Sequence, residues 1–153
     1  MKITDFLSAD GIIPDLASRD KQAALKELAE KFAAAHSALN SARVLEVLLN
    51  REKISTTAIG EGVAIPHGKL PDVKQVHAVF ARSSSGIDFS SLDGEPTCLF
   101  FALIAPEDGA ADHLKALARI SRILKDAAFR KRLLEGKSGQ ELFDIIAAED
   151  QKF

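Results

Sequence analysis

The chain has 153 residues, 46% of them apolar and 27% charged, with 20 basic against 22 acidic side chains and a net charge of −2. Those values predict one globular domain with a core of its own and exclude whole-chain disorder or coiled coil. The near-neutral balance argues against a nucleic-acid or membrane-surface binder, since either partner calls for a clustered basic excess.

Ile12 to Leu16 reads as a short edge strand, because Pro14 cannot donate to a central ladder. Asp20 or Ser18 then caps a helix running to about His36, with Leu25, Leu28, Phe32 and Ala35 at helical spacing. Ser41 caps a second helix to about Glu52 that buries Val44, Leu45, Leu48 and Leu49. Residues 53–62 lose all periodicity and contain Gly60 and Gly62, so they read as a loop. Val63 to Ile65 form a short strand stopped by Pro66, which places His67 just past a strand end.

Gln75 to Arg82 alternates with period two, and Asp93-Gly94 marks a turn. Thr97 to Ala105 is almost continuously apolar, as a strand covered on both faces is. Three helices follow: Ala110 to about Lys125, a short one ending at Gly136 as its C′ residue, and one opened by the Ser138-to-Glu141 capping box. The prediction is an α/β fold: a single domain with a mixed sheet of about four or five strands and helices on both faces. The short connection between 63–66 and 75–82 predicts an antiparallel pair there. Cys98 lies in the apolar run and reads as a buried thiol; standing alone, it excludes an internal disulfide and a multi-cysteine zinc site. A lone reduced thiol, no apolar run of ~18–20 residues and no leader-like start predict a cytoplasmic protein without membrane insertion.

The densest local pattern is Ile59-Gly60-Glu61-Gly62-Val63-Ala64-Ile65-Pro66-His67-Gly68-Lys69. Its glycines permit close backbone approach, and His67, followed by Gly68, is open to another molecule. His36, His77 and His113 complete no HxH or HExxH spacing, so metal binding has little support. A nucleophile elbow, a Walker A loop and GxGxxG are all absent. The remaining use is histidine as the nucleophile, since a neutral imidazole has a lone pair at neutral pH and can take a phosphoryl group. Arg51, Ser55, Thr56, Thr57, Gly60, Gly62 and Lys69 lie close enough in sequence to help hold such a group. His113 falls in the first turn of the helix after the central strand, a favourable place for an anion. Glu61 is expected to face solvent, because pointing inward it would repel the phosphoryl group.

The run R-E-K-I-S-T-T-A-I-G-E-G-V-A-I-P-H-G-K-L at 51–70 resembles the signature of the type-2 enzyme IIA domain of the bacterial phosphotransferase system, the mannitol, fructose and nitrogen-regulatory family. H-L-K-A-L-A-R-I-S at 113–121 is similar to a second segment of that family, and the resemblance covers residues 5–148 as one domain. It implies that His67 is phosphorylated on Nε2, that Arg51 steadies the phosphoryl charge, and that His113 contacts the group without carrying it. Thr56, Gly60 and Gly62 are then expected to bind the phosphoryl group. The family's Ser-Thr-Gly is Thr56-Thr57-Ala58 here, and Ala58 disfavours a positive φ that glycine would permit.

The resemblance further implies a donor that is an HPr-type phosphocarrier protein, with no cofactor and no metal in the step. Within the family the chain is most similar to the nitrogen-regulatory branch, which implies protein partners, such as potassium transport proteins or sensor kinases, governed by phosphorylation state. Two other readings stand beside it: a fructose- or mannitol-specific IIA subunit passing the group to a IIB cysteine, and a regulatory binding module indifferent to phosphorylation.

Overall fold

A computed structural model describes residues 1–152. Its elements in order are β1 (Ile12–Ile13), α1 (Lys21–Ala35), α2 (Ser41–Ile54), β2 (Ala58–Gly60), β3 (Val63–Ala64), β4 (His67–Leu70), β5 (His77–Ile87), β6 (Thr97–Pro106), α3 (Ala110–Leu124), α4 (Ala127–Glu135) and α5 (Gly139–Asp150). The six strands form one mixed sheet in the order β1-β5-β6-β3-β2, with β4 also paired to β6.

The apolar strand β6 is the centre, and its alternation divides the core. Leu99, Phe101, Leu103 and Ala105 pack with α3, α4 and α5 through Ala116, Ile120, Phe129, Leu133, Leu142 and Ile146. Phe100, Ala102 and Ile104 pack on the other face with α1 and α2 through Leu25, Leu28, Phe32, Val44 and Leu48. Each fully buried Leu or Phe contributes about 1.5–3 kcal/mol. Helices therefore cover both faces, as the composition of β6 requires.

Several local expectations need correction. The sheet has six strands, because residues 53–62 contain β2 and because the strand line resumes after Pro66. Val63 pairs with Leu99 and His67 with Leu103 in the same parallel register, so Pro66 interrupts the line without shifting it. Proline lacks only the N–H; the Pro66 carbonyl still accepts from Leu103 N–H at 2.9 Å. His67 thus opens β4 instead of lying beyond a strand. The strands at 63–66 and 75–82 do not pair with each other: β6 runs between them, parallel to β3 and antiparallel to β5. Asn40, not Ser41, caps α2, accepting from Arg43 N–H at 3.1 Å. Gly136 has φ −60°, outside the left-handed region, and its missing side chain instead admits Leu142. Cys98 is half-buried, beside the stretch where the register of β5 shifts. Asp20 and Ser138 cap α1 and α5 as the sequence implies.

Two buried polar arrangements stand out. Asp150, fully buried, accepts from Arg119 Nε at 2.7 Å and from Thr4 N–H at 3.2 Å, while Lys2 Nζ donates to its carbonyl at 3.0 Å, so the first residues meet the end of α5 at one point. His36, at the end of α1, lies against His77 of β5 with ring centroids 4.3 Å apart. Burial pushes His77 down to about 4, and the charge of His36 adds to this; burial also lowers His36, against the Ala78 backbone contact that raises it.

A histidine whose folded-state pKa lies below its unfolded value binds fewer protons when folded, so acid favours unfolding. The stability contributed by His77 is complete above about pH 6.5 and is lost as pH falls towards about 4. Thermal unfolding followed across that window should show a falling midpoint. In His77→Phe the slope should be shallower, and an equal slope would mean that this pair does not set it.

Candidate functional site

The line from β3 through β4 places alternate residues on opposite faces. Gly68 points at α2, where a Cβ would lie 2.9 Å from Val47 Cγ2 and 3.4 Å from the Val47 carbonyl carbon, so only glycine lets α2 come this close. His67 points the other way, towards α3, with its ring centroid 5.4 Å from that of His113. Arg51, in the last turn of α2, reaches round the sheet edge and donates from Nε to His67 Nε2 at 3.3 Å; its Nη1 donates to the Ser55 carbonyl at 2.8 Å. One helical layer supplies the guanidinium and the other supplies the second imidazole.

The hydrogen bonds fix the tautomer of His67. Nδ1 lies 2.8 Å from the Ile65 carbonyl oxygen, which can only accept, so Nδ1 carries the proton. Nε2 is then the unprotonated nitrogen, and its lone pair meets the Arg51 N–H. Burial lowers the pKa of His67; the Ile65 carbonyl opposes this, and the Arg51 and Lys69 charges reinforce it. His113 is 5% exposed, and its Nδ1 is buried without a hydrogen-bond partner among the described residues. Burial, with the charges of His67 and Lys69, drives it down to about 4. Both rings are therefore neutral at neutral pH.

His67, His113, Arg51 and Lys69 line one open cavity of about 500 Å³. Its rim is apolar: Ile54 is 80% exposed and Leu114 is 65% exposed. Asn50 and Val47 complete the α2 wall. Of these four rim and wall residues, sequence reasoning identified none, although Val47, Asn50, Arg51 and Ile54 fall at i, i+3, i+4 and i+7, the spacing of one helix face.

Thr56, Gly60 and Gly62 are not among the residues lining this cavity. The Thr56 hydroxyl donates to the Phe89 carbonyl at 2.8 Å and accepts from Ala58 N–H at 3.1 Å. Gly60, with φ +100°, lines a separate cavity with Glu61 and Arg130, and Gly62, with φ +73°, closes the β2–β3 turn. The left-handed backbone falls at Gly60, Glu61 and Gly62, so Ala58 lies extended in β2 without strain. Glu61 is exposed, as expected, and its carboxylate is 3.6 Å from Arg130.

The two-layered fold that carries this histidine pair and arginine is that of a phosphotransferase-system IIA domain. The chain belongs to that family: residues 5–149 match the model described as "Phosphoenolpyruvate-dependent sugar phosphotransferase system, EIIA 2". It is 49% identical over 147 residues to a nitrogen regulatory protein of Bradyrhizobium diazoefficiens, covering 96% of this chain and 95% of that one. It is 38% identical to the fructose-specific EIIABC component of Bacillus subtilis, covering 99% of this chain but 24% of that protein. Its fold matches the crystal structure of nitrogen regulatory protein IIA-Ntr from Neisseria meningitidis with a TM-score of 0.87 at 31% identity, over 94% of this chain and 98% of that one.

The Gly68–Val47 contact makes a prediction. Gly68→Ala should push α2 off β4, cost about 1–3 kcal/mol in denaturant unfolding, and release Arg51 from His67. Nitrogen-15 spectra of the His67 ring should then lose the signature of the Arg51 contact. A variant of unchanged stability and spectrum would mean that the close approach is not required.

Proposed function

We propose that the protein is a phosphocarrier of nitrogen-regulatory type. It takes a phosphoryl group onto His67 Nε2 from the phosphohistidine of an HPr-type carrier protein, in the cytoplasm, and its phosphorylation state governs regulatory protein partners. The observation that carries this reading is the Nδ1–H tautomer of His67, with the Nε2 lone pair turned into an open, apolar-rimmed cavity. The similarity along nearly the full length of a nitrogen regulatory protein supports the choice of branch.

The step balances without a metal. The His67 Nε2 lone pair attacks phosphorus, the Nε2–P bond forms as the donor's N–P bond breaks, and the donor imidazole leaves with that electron pair. Because Nδ1 keeps its proton, the product ring is a phosphorylated imidazolium, and the Ile65 carbonyl now accepts from a cationic N–H, a stronger bond than from a neutral one. Arg51 moves from the consumed lone pair to the phosphoryl oxygens, where its fork of N–H groups matches their geometry. His113 contacts the same oxygens from α3. Ile54 and Leu114 supply the apolar area that a docking protein covers, and the charge gained on His67 alters what can dock there.

The test is intact mass after incubation with phosphoenolpyruvate, enzyme I and an HPr-type carrier. The wild type should gain one acid-labile phosphoryl group and His67→Ala none. Arg51→Ala should react about 100-fold more slowly, the scale of losing one transition-state donor. No gain by the wild type beside an active carrier would overturn the reading and favour a regulator that works without phosphorylation.

A further inference from the structure

Arg51 and Glu52 are neighbours on α2 but point about 100° apart around the helix, so they serve different partners. Glu52 is turned inward, its side chain 5% exposed. It pairs with Lys21 Nζ at 3.0 Å, accepts the Thr57 N–H at 3.0 Å, and accepts the Thr57 hydroxyl. Lys21, the first residue of α1, also lies 4.7 Å from the centre of the Phe89 ring.

The Thr57 N–H is the decisive group. Ala58 pairs with Ala64 in the antiparallel β2–β3 hairpin, which sets Thr57 opposite Ile65. In such a ladder, opposed residues of a hydrogen-bonded pair exchange two N–H···O bonds. Here one of the two is made: Ile65 N–H donates to the Thr57 carbonyl at 3.0 Å. The return donor, Thr57 N–H, goes to Glu52 instead. The Ile65 carbonyl is left for His67 Nδ1–H.

We propose that Glu52, neutralised by Lys21, is a positioning residue for the His67 site: by drawing off the Thr57 N–H it leaves the Ile65 carbonyl to His67 and so sets which ring nitrogen faces the phosphoryl donor. The proposal rests on the phosphocarrier reading for its effect on rate, but not for its effect on the tautomer. A carbonyl shared between Thr57 and His67 would hold each donor less well, and the ring would then populate the tautomer protonated at Nε2, which has no lone pair for attack. The Lys21 ammonium is what keeps a buried carboxylate in place, since an unpaired buried charge is strongly disfavoured.

The variants are Glu52→Met, close in size but without an acceptor, Glu52→Gln, which keeps an acceptor oxygen, and Lys21→Met, each in the full chain and checked for folding by circular dichroism. Nitrogen-15 shifts of the His67 ring, recorded at pH 8 without any donor, report the tautomer. Single-turnover transfer from phosphorylated HPr-type carrier reports the rate at saturation and the half-saturating concentration. Glu52→Met should show a mixture of tautomers, an approximately tenfold lower saturating rate, and a half-saturating concentration within about twofold of wild type. Glu52→Gln should keep the wild-type tautomer and most of the rate. Folded Glu52→Met with the wild-type tautomer, or equal losses in Glu52→Gln, would overturn the proposal, as would a loss of melting temperature alone. If Glu52→Met does not fold, Lys21→Met is read in its place with the same expected and overturning outcomes. Wild-type protein that accepts no phosphoryl group would refute the phosphocarrier reading, while the tautomer comparison would still decide the role of Glu52.

Discussion

One carbonyl oxygen, that of Ile65, governs what the site can do. It can only accept, so the imidazole nitrogen facing it must carry the proton, and the other nitrogen must offer its lone pair. Everything nearby serves this arrangement. Pro66 gives the chain no N–H at the next position, yet its own carbonyl keeps the register with β6. His67 therefore emerges at a fixed height beside Leu103, with its ring folded back onto the residue two before it. Burial of the ring and the Arg51 charge keep it neutral, the form with a reactive nitrogen.

The site also depends on two helical layers meeting at one sheet edge. Strand alternation sends His67 and Lys69 towards α3, and Gly68 towards α2. The missing side chain at Gly68 brings α2 close enough for Arg51 to cross the edge. His113 thus comes from one layer, the guanidinium from the other, and His67 from the strand between them. Neither layer could build this constellation alone, which explains why residues as far apart in sequence as 51 and 113 converge.

Much of this was legible in the sequence. The apolar run of β6 revealed a central strand, and helical spacing revealed α1, α2 and α3, because burial imposes a period on both. The histidine at 67 could be read as reachable by another molecule, and it stands half-buried on a cavity wall; the family resemblance pointed to Arg51 and His113. Two of the short strands, β2 and β4, escaped, whereas β1 and β3 were read from Ile12–Ile13 and Val63–Ala64. β2 has three residues, too few for any period, and β4 begins at a polar residue after a proline. The antiparallel pairing expected between the strands at 63–66 and 75–82 failed because a stronger apolar strand, placed later in the chain, occupies the position between them. Thr56, Gly60 and Gly62 looked like anion ligands by nearness in sequence. The β2–β3 hairpin carries its glycine turn away from the His67 cavity, a reversal that composition does not disclose. Glu52 escaped for the opposite reason: its partners, Lys21 and the Thr57 N–H, come from another helix and from backbone.

The buried Asp150 joins the first residues to the last helix, through Thr4 and Lys2 on one side and Arg119 on the other. None of these residues lines the His67 cavity. Residues 2–4 and the end of α5 thus lie in one small patch, which the buried Ile3 and the Arg132–Glu149 pair also hold to the fold. Such geometry makes the domain portable: it can be spliced between or beside other domains as a self-closed cassette, without a long span of linker and without disturbing the imidazole. The Bacillus subtilis relative, in which the matching region is about a quarter of the polypeptide, has the arrangement that this geometry permits.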